Sequence, residues 1–235
     1  MPYYHGGLRF PSDAATRLTL AYVAPFATFV GMMAVEKTLP LPAAWLYPIR
    51  FFAVLGVLLW FSRPYLSFRT ASPAMSVAIG IAVFVIWIGP DVLFGPAYRH
   101  HWLFQNPITG AAVASLPVSL RTQVWFLTVR AVSCTLLVPV IEELFWRGWL
   151  MRWILNKDFT RVPLGTYTPL AFWAVAVLFA SEHGPYWEVG LAAGVIYNWW
   201  MIRTRNLADC MLAHAVTNGL LSWYVLQTGQ WQYWM

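Results

Sequence analysis

Leu136-Leu137-Val138-Pro139-Val140-Ile141-Glu142-Glu143-Leu144-Phe145-Trp146-Arg147 carries an unbroken apolar run straight into two adjacent carboxylates and an arginine, and Trp149-Leu150-Met151 follows almost at once. An ionised side chain at mid-bilayer costs about 2.5–3.5 kcal/mol on insertion scales, so charges in such a stretch need partners or a purpose. On a helix Glu143 and Arg147 are four apart and share a face, which lets them pair. Glu142 is turned about 100° away from Glu143 and is free to face a cavity. One acid reads as structural and the other as available for chemistry.

The rest of the chain says where this happens. Of 235 residues 60% are apolar and 10% charged, with 15 Trp, 15 Phe and 11 Tyr. Soluble domains carry about 25% charged residues, so the composition is that of an integral membrane protein. The expected fold is an all-α polytopic bundle of about seven or eight transmembrane helices, with residues 1–235 forming a single membrane domain. Cys134 and Cys210 both lie in apolar surroundings and read as small core residues, not as a disulfide or a metal pair. The net charge of +6 comes mainly from arginines between spans. It therefore reads as topology and speaks against nucleic-acid binding. Met1–Ser12 is polar and aromatic, and no cleavable signal peptide is expected there.

Apolar segments cover about Leu18–Val35, Leu46–Phe61, Met75–Leu93, Val124–Leu150, Pro169–Ala180, Val189–Ile202 and Leu207–Val225. Turn chemistry separates them, as at Leu39-Pro40-Leu41-Pro42, Ser62-Arg63-Pro64 and Val162-Pro163-Leu164-Gly165. The longest loop, between Asp91 and Arg121, contains His100, His101 and several prolines, and is expected to hold a short interfacial helix at most. With a cytoplasmic N-terminus the inside carries Arg9, Arg17, Arg63, Arg69, Arg152, Lys157, Arg161, Arg203 and Arg205, and the outside only Lys37, Arg99 and Arg121. That is a clear positive-inside bias.

Two further polar pairs sit where apolar residues would be expected. Phe179-Ala180-Ser181-Glu182-His183 closes the fifth segment, and His214-Ala215-Val216-Thr217-Asn218 lies inside the seventh. His214 and Asn218 project from one helical face. A lone histidine at a span end is ordinarily interfacial, and a His/Asn pair ordinarily bonds neighbouring helices. Polar groups at helical spacing on three separate spans fit a converged functional site better. Such a set can hydrolyse. A carboxylate can act as base toward a bound water, a histidine can shuttle its proton, and a His with an Asn can donate to a developing oxyanion. Nothing marks Ser181 as an activated nucleophile. Glu142, Glu143, His183 and His214 could alternatively supply zinc ligands, although the helical signature H-E-x-x-H is absent.

E-E-x-x-x-R, then F-x-x-x-H, then H-x-x-x-N, in that order on separate helices, resembles the CPBP (Abi) family of intramembrane proteases. That family includes the type II CAAX prenyl endopeptidases and bacteriocin-processing and immunity proteins. The resemblance covers residues 122–224, the core carrying the protease-like motifs. The chain also looks like the bacterial "CAAX prenyl protease-related" branch that accompanies exosortase-type protein-sorting systems, in a family whose members are described both as metalloproteases and as glutamic intramembrane proteases. The resemblance implies a hydrolase of the bacterial inner membrane, acting on a membrane-anchored protein or peptide within the lipid bilayer. It implies that Glu142 and His183 activate the water, that His214 and Asn218 form the oxyanion site, and that Glu143, Arg147 and Phe179 give structural support. The absent zinc signature favours a reaction without metal or other cofactor, with zinc as the alternative. Two other readings compete: a non-enzymatic scaffold or immunity protein with the same fold, and a proton-coupled transporter. No paired repeats or matching broken helices favour the transporter.

One tension is visible in the sequence. Glu142 and His214 fall nearer one end of their helices, while His183 lies about 20 Å along the fifth from Pro169. The groups meet only if the fifth helix starts early, near Thr166, or if the site lies deep, and a deep cavity is the expectation.

Overall fold

Pro, Gly and short polar runs interrupt the apolar segments, and helices form between the interruptions. The computed structural model describes residues 14–36 and 38–234. The expectations placed on Met1–Ser12, Arg9 and Lys37 lie outside them. Seven long helices form among the described residues. They are α1 (Ala14–Glu36), α2 (Ala43–Tyr65), α3 (Pro73–Phe94), α4 (Val124–Trp153), α5 (Pro169–Ser181), α6 (Trp187–Thr204) and α7 (Leu207–Thr228). The only β-type pairing among the described residues is an isolated bridge between Asn106 and Gly110. The long loop between α3 and α4 holds short 3₁₀ turns at Pro96–His100 and Val118–Leu120, and no eighth helix.

α1 to α4 are long and apolar enough to cross a membrane, and α5 is apolar but shorter. α6 and α7 are long enough but carry Asn198, Asp209, His214, Thr217 and Asn218 in their interiors. The polar load lowers their hydropathy, and neighbouring helices bury it. Asn198 and Asp209 have no exposed surface, and His214 and Thr217 almost none.

Local chemistry sets the helix ends near the site. α5 starts at Pro169, with Thr168 Oγ1 accepting from the Ala171 N–H at 3.3 Å. Pro at the first helical position sacrifices no bond. The early start near Thr166 is therefore not used, and His183 follows the far end of α5. α3 receives its cap from α7: Asp209 Oδ2 accepts from Ala71 N at 2.8 Å, and its Oδ1 accepts from Ser72 N and Ser76 Oγ, both at 2.9 Å. Orphan N–H donors are thus satisfied by a buried acid in a different helix.

α3 and α7 approach closely at Gly80. A β-carbon there would lie 2.4 Å from Ala213 O and 2.7 Å from Val216 Cβ, so this seam requires a residue without one. α1 lies on α4, with Phe26 stacked on Phe145 at 4.4 Å between centroids. The core between α4 and α7 is closed by Ile141, Leu144, Val175, Phe179, Tyr197 and Met201.

Candidate active site

α4 does not run as a uniform α-helix. Pro139 cannot donate to the Thr135 carbonyl four residues back, and the backbone widens into a π-turn over Ser133–Leu137. A second π segment spans Leu144–Leu150. The α-helical turn Val138–Glu143 between them carries both acids. Each π-turn rotates the residues beyond it relative to regular helix, and such turns are frequent at functional sites.

Glu143 and Arg147 pair as their spacing predicts, Oε1 to Nη1 at 3.0 Å, and neither side chain has exposed surface. The pair is the centre of a larger network. Arg147 Nε donates to Asn198 Oδ1 on α6 at 2.9 Å, and Nη2 donates to Gly194 O at 3.3 Å. Asn198 Nδ2 in turn donates to Phe172 O on α5 at 2.8 Å. The guanidinium lies over the Phe179 ring at 4.6 Å, which gives the first residue of the second motif a physical role as its apolar and π support. Glu143 Oε1 also accepts from His214 Nδ1 at 3.0 Å. Four helices are tied together through one ion pair.

Glu142 takes no part in this network. It is buried, and its Oε2 has no hydrogen-bond partner among the described residues. It lines a cavity of about 290 Å³ together with His183, His214 and Asn218. The structure thus brings the three sequence motifs to one chamber. Glu143 and Arg147 do not line it, and Phe179 does.

Each histidine is held by its Nδ1. His183 Nδ1–H donates to Phe179 O at 2.8 Å, which leaves Nε2 as the proton acceptor of the neutral ring. Its ring meets Trp87 edge-on at 5.1 Å. Gly190 makes room behind it, since a β-carbon there would lie 3.1 Å from His183 Nδ1. His214 donates through Nδ1 to Glu143 and stacks on Tyr197 at 5.1 Å between centroids. Asn218 Nδ2 donates to Cys134 O at 2.9 Å, which commits one of its two N–H groups to α4.

Several cavity residues were missed by the sequence reading. Trp87, Tyr197 and Thr217 line the chamber, and Tyr197 OH donates to Thr217 Oγ1 at 2.7 Å. Nothing in their local sequence distinguishes them from ordinary packing residues. Glu182 also lines it, and its position beside His183 was the available signal. Tyr233 and Trp234 close one side, with Trp234 O accepting from Arg130 Nη2 at 2.9 Å. Ser181 Oγ donates to Leu178 O at 2.7 Å, as an ordinary helix-end hydroxyl does. The cysteines are both free. His100 and His101 lie in the α3–α4 loop and do not reach the chamber. Among the described residues no three His, Cys, Asp or Glu side chains gather closely enough to hold a metal ion.

Residues 123–220 match the family model described as type II CAAX prenyl endopeptidase Rce1-like. The matched segment contains all three motifs and nearly coincides with residues 122–224, where the motifs alone carried the resemblance. It takes in α4 to most of α7 and leaves α1 to α3 outside. No curated protein and no solved structure matches the chain.

Proposed function

We propose that this protein is an intramembrane endopeptidase that hydrolyses a peptide bond of a membrane-associated protein or peptide. The observation that carries this reading is Glu142 Oε2, buried and bonded to no protein group, on the wall of a chamber shared with His183, His214 and Asn218. An acceptor so placed needs a water or a substrate group, because leaving it unsatisfied costs about 1–3 kcal/mol or more. The similarity of residues 123–220 to prenyl-protein endopeptidases supports the reaction class.

In this mechanism Glu142 takes a proton from a water whose second hydrogen is bonded to His183 Nε2. The water oxygen attacks the carbonyl carbon, and the electron pair of the C=O moves onto oxygen. His214, held through Nδ1 by the Glu143 carboxylate, is the first donor to that oxygen. The second N–H of Asn218 is the other donor. Glu142 then passes its proton to the leaving nitrogen as the C–N bond breaks, giving an acid and an amine. No metal takes part. Glu143, Arg147 and Phe179 position the machinery.

The test is cleavage of a membrane-anchored substrate, found by comparing protein termini in membranes with and without this protein. Purified wild-type protein should then cut that substrate, and chelators should leave the rate unchanged. Stoichiometric bound zinc, with activity lost to chelation and restored by the metal, would replace the metal-free mechanism. Unaltered termini together with full biological activity of Glu142→Gln would favour the non-enzymatic scaffold.

A further inference from the structure

Outside the chamber, two openings lie side by side on the bundle. The larger, about 680 Å³, is an apolar groove between α2, α4 and α7, walled by residues such as Phe51, Leu55, Leu136, Val140 and Leu212. The smaller, about 250 Å³, has mixed walls, with Ser67, Arg69, Arg205 and Asn206 on its polar side and leucines on the other. Leu66, Ala208 and Met211 border both, so groove and cleft share a wall.

The polar end is built around two arginines. Asn206 Nδ2 donates to Arg69 O at 2.9 Å, fastening the α2–α3 loop to the α6–α7 turn and bringing the two residues into one cleft. Neither guanidinium has an ion-pair or hydrogen-bond partner among the described residues. Asp209, close by in sequence, is fully occupied by Ala71, Ser72 and Ser76 and has no exposed surface. Arg205 sits in left-handed backbone, φ 53°, and is the one non-glycine residue of positive φ among the described residues. Glycine or asparagine would occupy that position with less strain. Its stem is packed, since a β-carbon on Gly165 would lie 2.9 Å from Arg205 Cγ. Two like charges held together without an acid raise a local positive potential, and guanidinium is the group best suited to phosphate.

We propose that these adjoining openings bind one anionic phospholipid, its phosphate held by Arg69 and Arg205 and an acyl chain lying in the apolar groove across the shared wall. Charge complementarity selects the headgroup, and the shared wall at Leu66, Ala208 and Met211 joins it to the chain. Basic pockets between membrane helices are a known mode of lipid headgroup recognition. The groove is walled by Val140 on α4 and by Met211, Leu212 and Ala215 on α7, beside Glu142 and His214. A seated lipid therefore braces the two helices that carry them. This site is independent of the peptidase reading.

The experiment is thermal unfolding of the purified full chain in detergent with phosphatidylglycerol, phosphatidylcholine, glycerol 3-phosphate or oleyl alcohol. Phosphatidylglycerol is expected to raise Tm by about 5–10 °C near saturation, and the other three by less than about 2 °C. Arg69→Gln with Arg205→Asn should abolish the shift without lowering the lipid-free Tm, since both side chains are exposed and asparagine relieves the left-handed backbone at 205. Leu136→Trp, on an exposed wall of the groove, should weaken the shift by obstructing the chain. Equal shifts from phosphatidylcholine, or a full shift retained in the arginine variant, would overturn the proposal. A full shift from glycerol 3-phosphate alone would make this a free-phosphate site and overturn it equally. If the arginine variant fails to fold, Leu136→Trp with an undiminished shift overturns it.

Discussion

α1 to α3 and α4 to α7 are both apolar by composition, but different physics governs them. The first three present large side chains outward: Trp45, Phe52, Trp60 and Leu93 are each more than 60% exposed. Lipid accepts any of them, because hydrocarbon tails are as apolar as leucine and discriminate little by shape. The last four turn polar groups inward, and apart from Glu142 the buried charged ones around the chamber are answered by named partners on the same or a neighbouring helix. Glu143 answers Arg147 and His214, Arg147 answers Asn198, and Asn198 answers the Phe172 carbonyl. An apolar position on the rim holds little information. A buried polar position holds a great deal, because leaving one partner bare in a low dielectric costs far more than the pair contributes. The family match falls on the second region and stops at its edge.

Seven single substitutions would break or sharpen that contrast. The largest effect is expected at Glu142. Glu142→Gln keeps the shape and removes the proton acceptor, so turnover of the identified substrate should fall by about 10²–10⁴ with the unfolding midpoint unchanged. Full activity in this variant would end its assignment as the base. Next come Glu143→Gln and Arg147→Ala, each of which strips a partner from a charge with no exposed surface. A loss of about 3–5 kcal/mol is expected, read as less folded protein and a lower unfolding temperature in detergent. Replacing both residues by leucine should not restore stability, because His214 and Asn198 would still lose their partners.

A smaller effect is expected at the α3–α7 seam. Gly80→Ala forces a β-carbon against Ala213 O and Val216, and should destabilise by about 1–3 kcal/mol. Gly31 and Gly56, on the rim, have nothing within 4 Å of an added β-carbon. Alanine there should be neutral or stabilising by up to about 1 kcal/mol, through helix propensity. A destabilised Gly31→Ala would show that α1 has a partner beyond this chain. The smallest effect belongs to Leu93→Ala, at 77% exposure, where a change within about ±0.5 kcal/mol is expected.

Much of this was legible in the sequence. The seven apolar segments, their breaks at Pro and Gly, and the Glu143–Arg147 pair all depend on residues a few positions apart, where helix geometry leaves little freedom. Interactions between helices were less legible, because they depend on the rotation and depth of each helix. The sequence reading set His214 and Asn218 side by side as equal donors. In the folded chain His214 is anchored by Glu143 across 71 residues, and Asn218 is tied to Cys134 across 84.

By itself, then, the sequence determined that the chain is a bundle of apolar helices, that one acid of Glu142-Glu143 is paired with Arg147, and that polar groups recur on three spans. The tertiary structure alone decided that those groups share one chamber and that Trp87, Tyr197, Thr217 and Glu182 join them. The physical reason lies in the seams. Two π-turns in α4 and the close approaches at Gly80 and Gly190 set how far each helix is turned and how deep it sits, and helical periodicity holds no record of either.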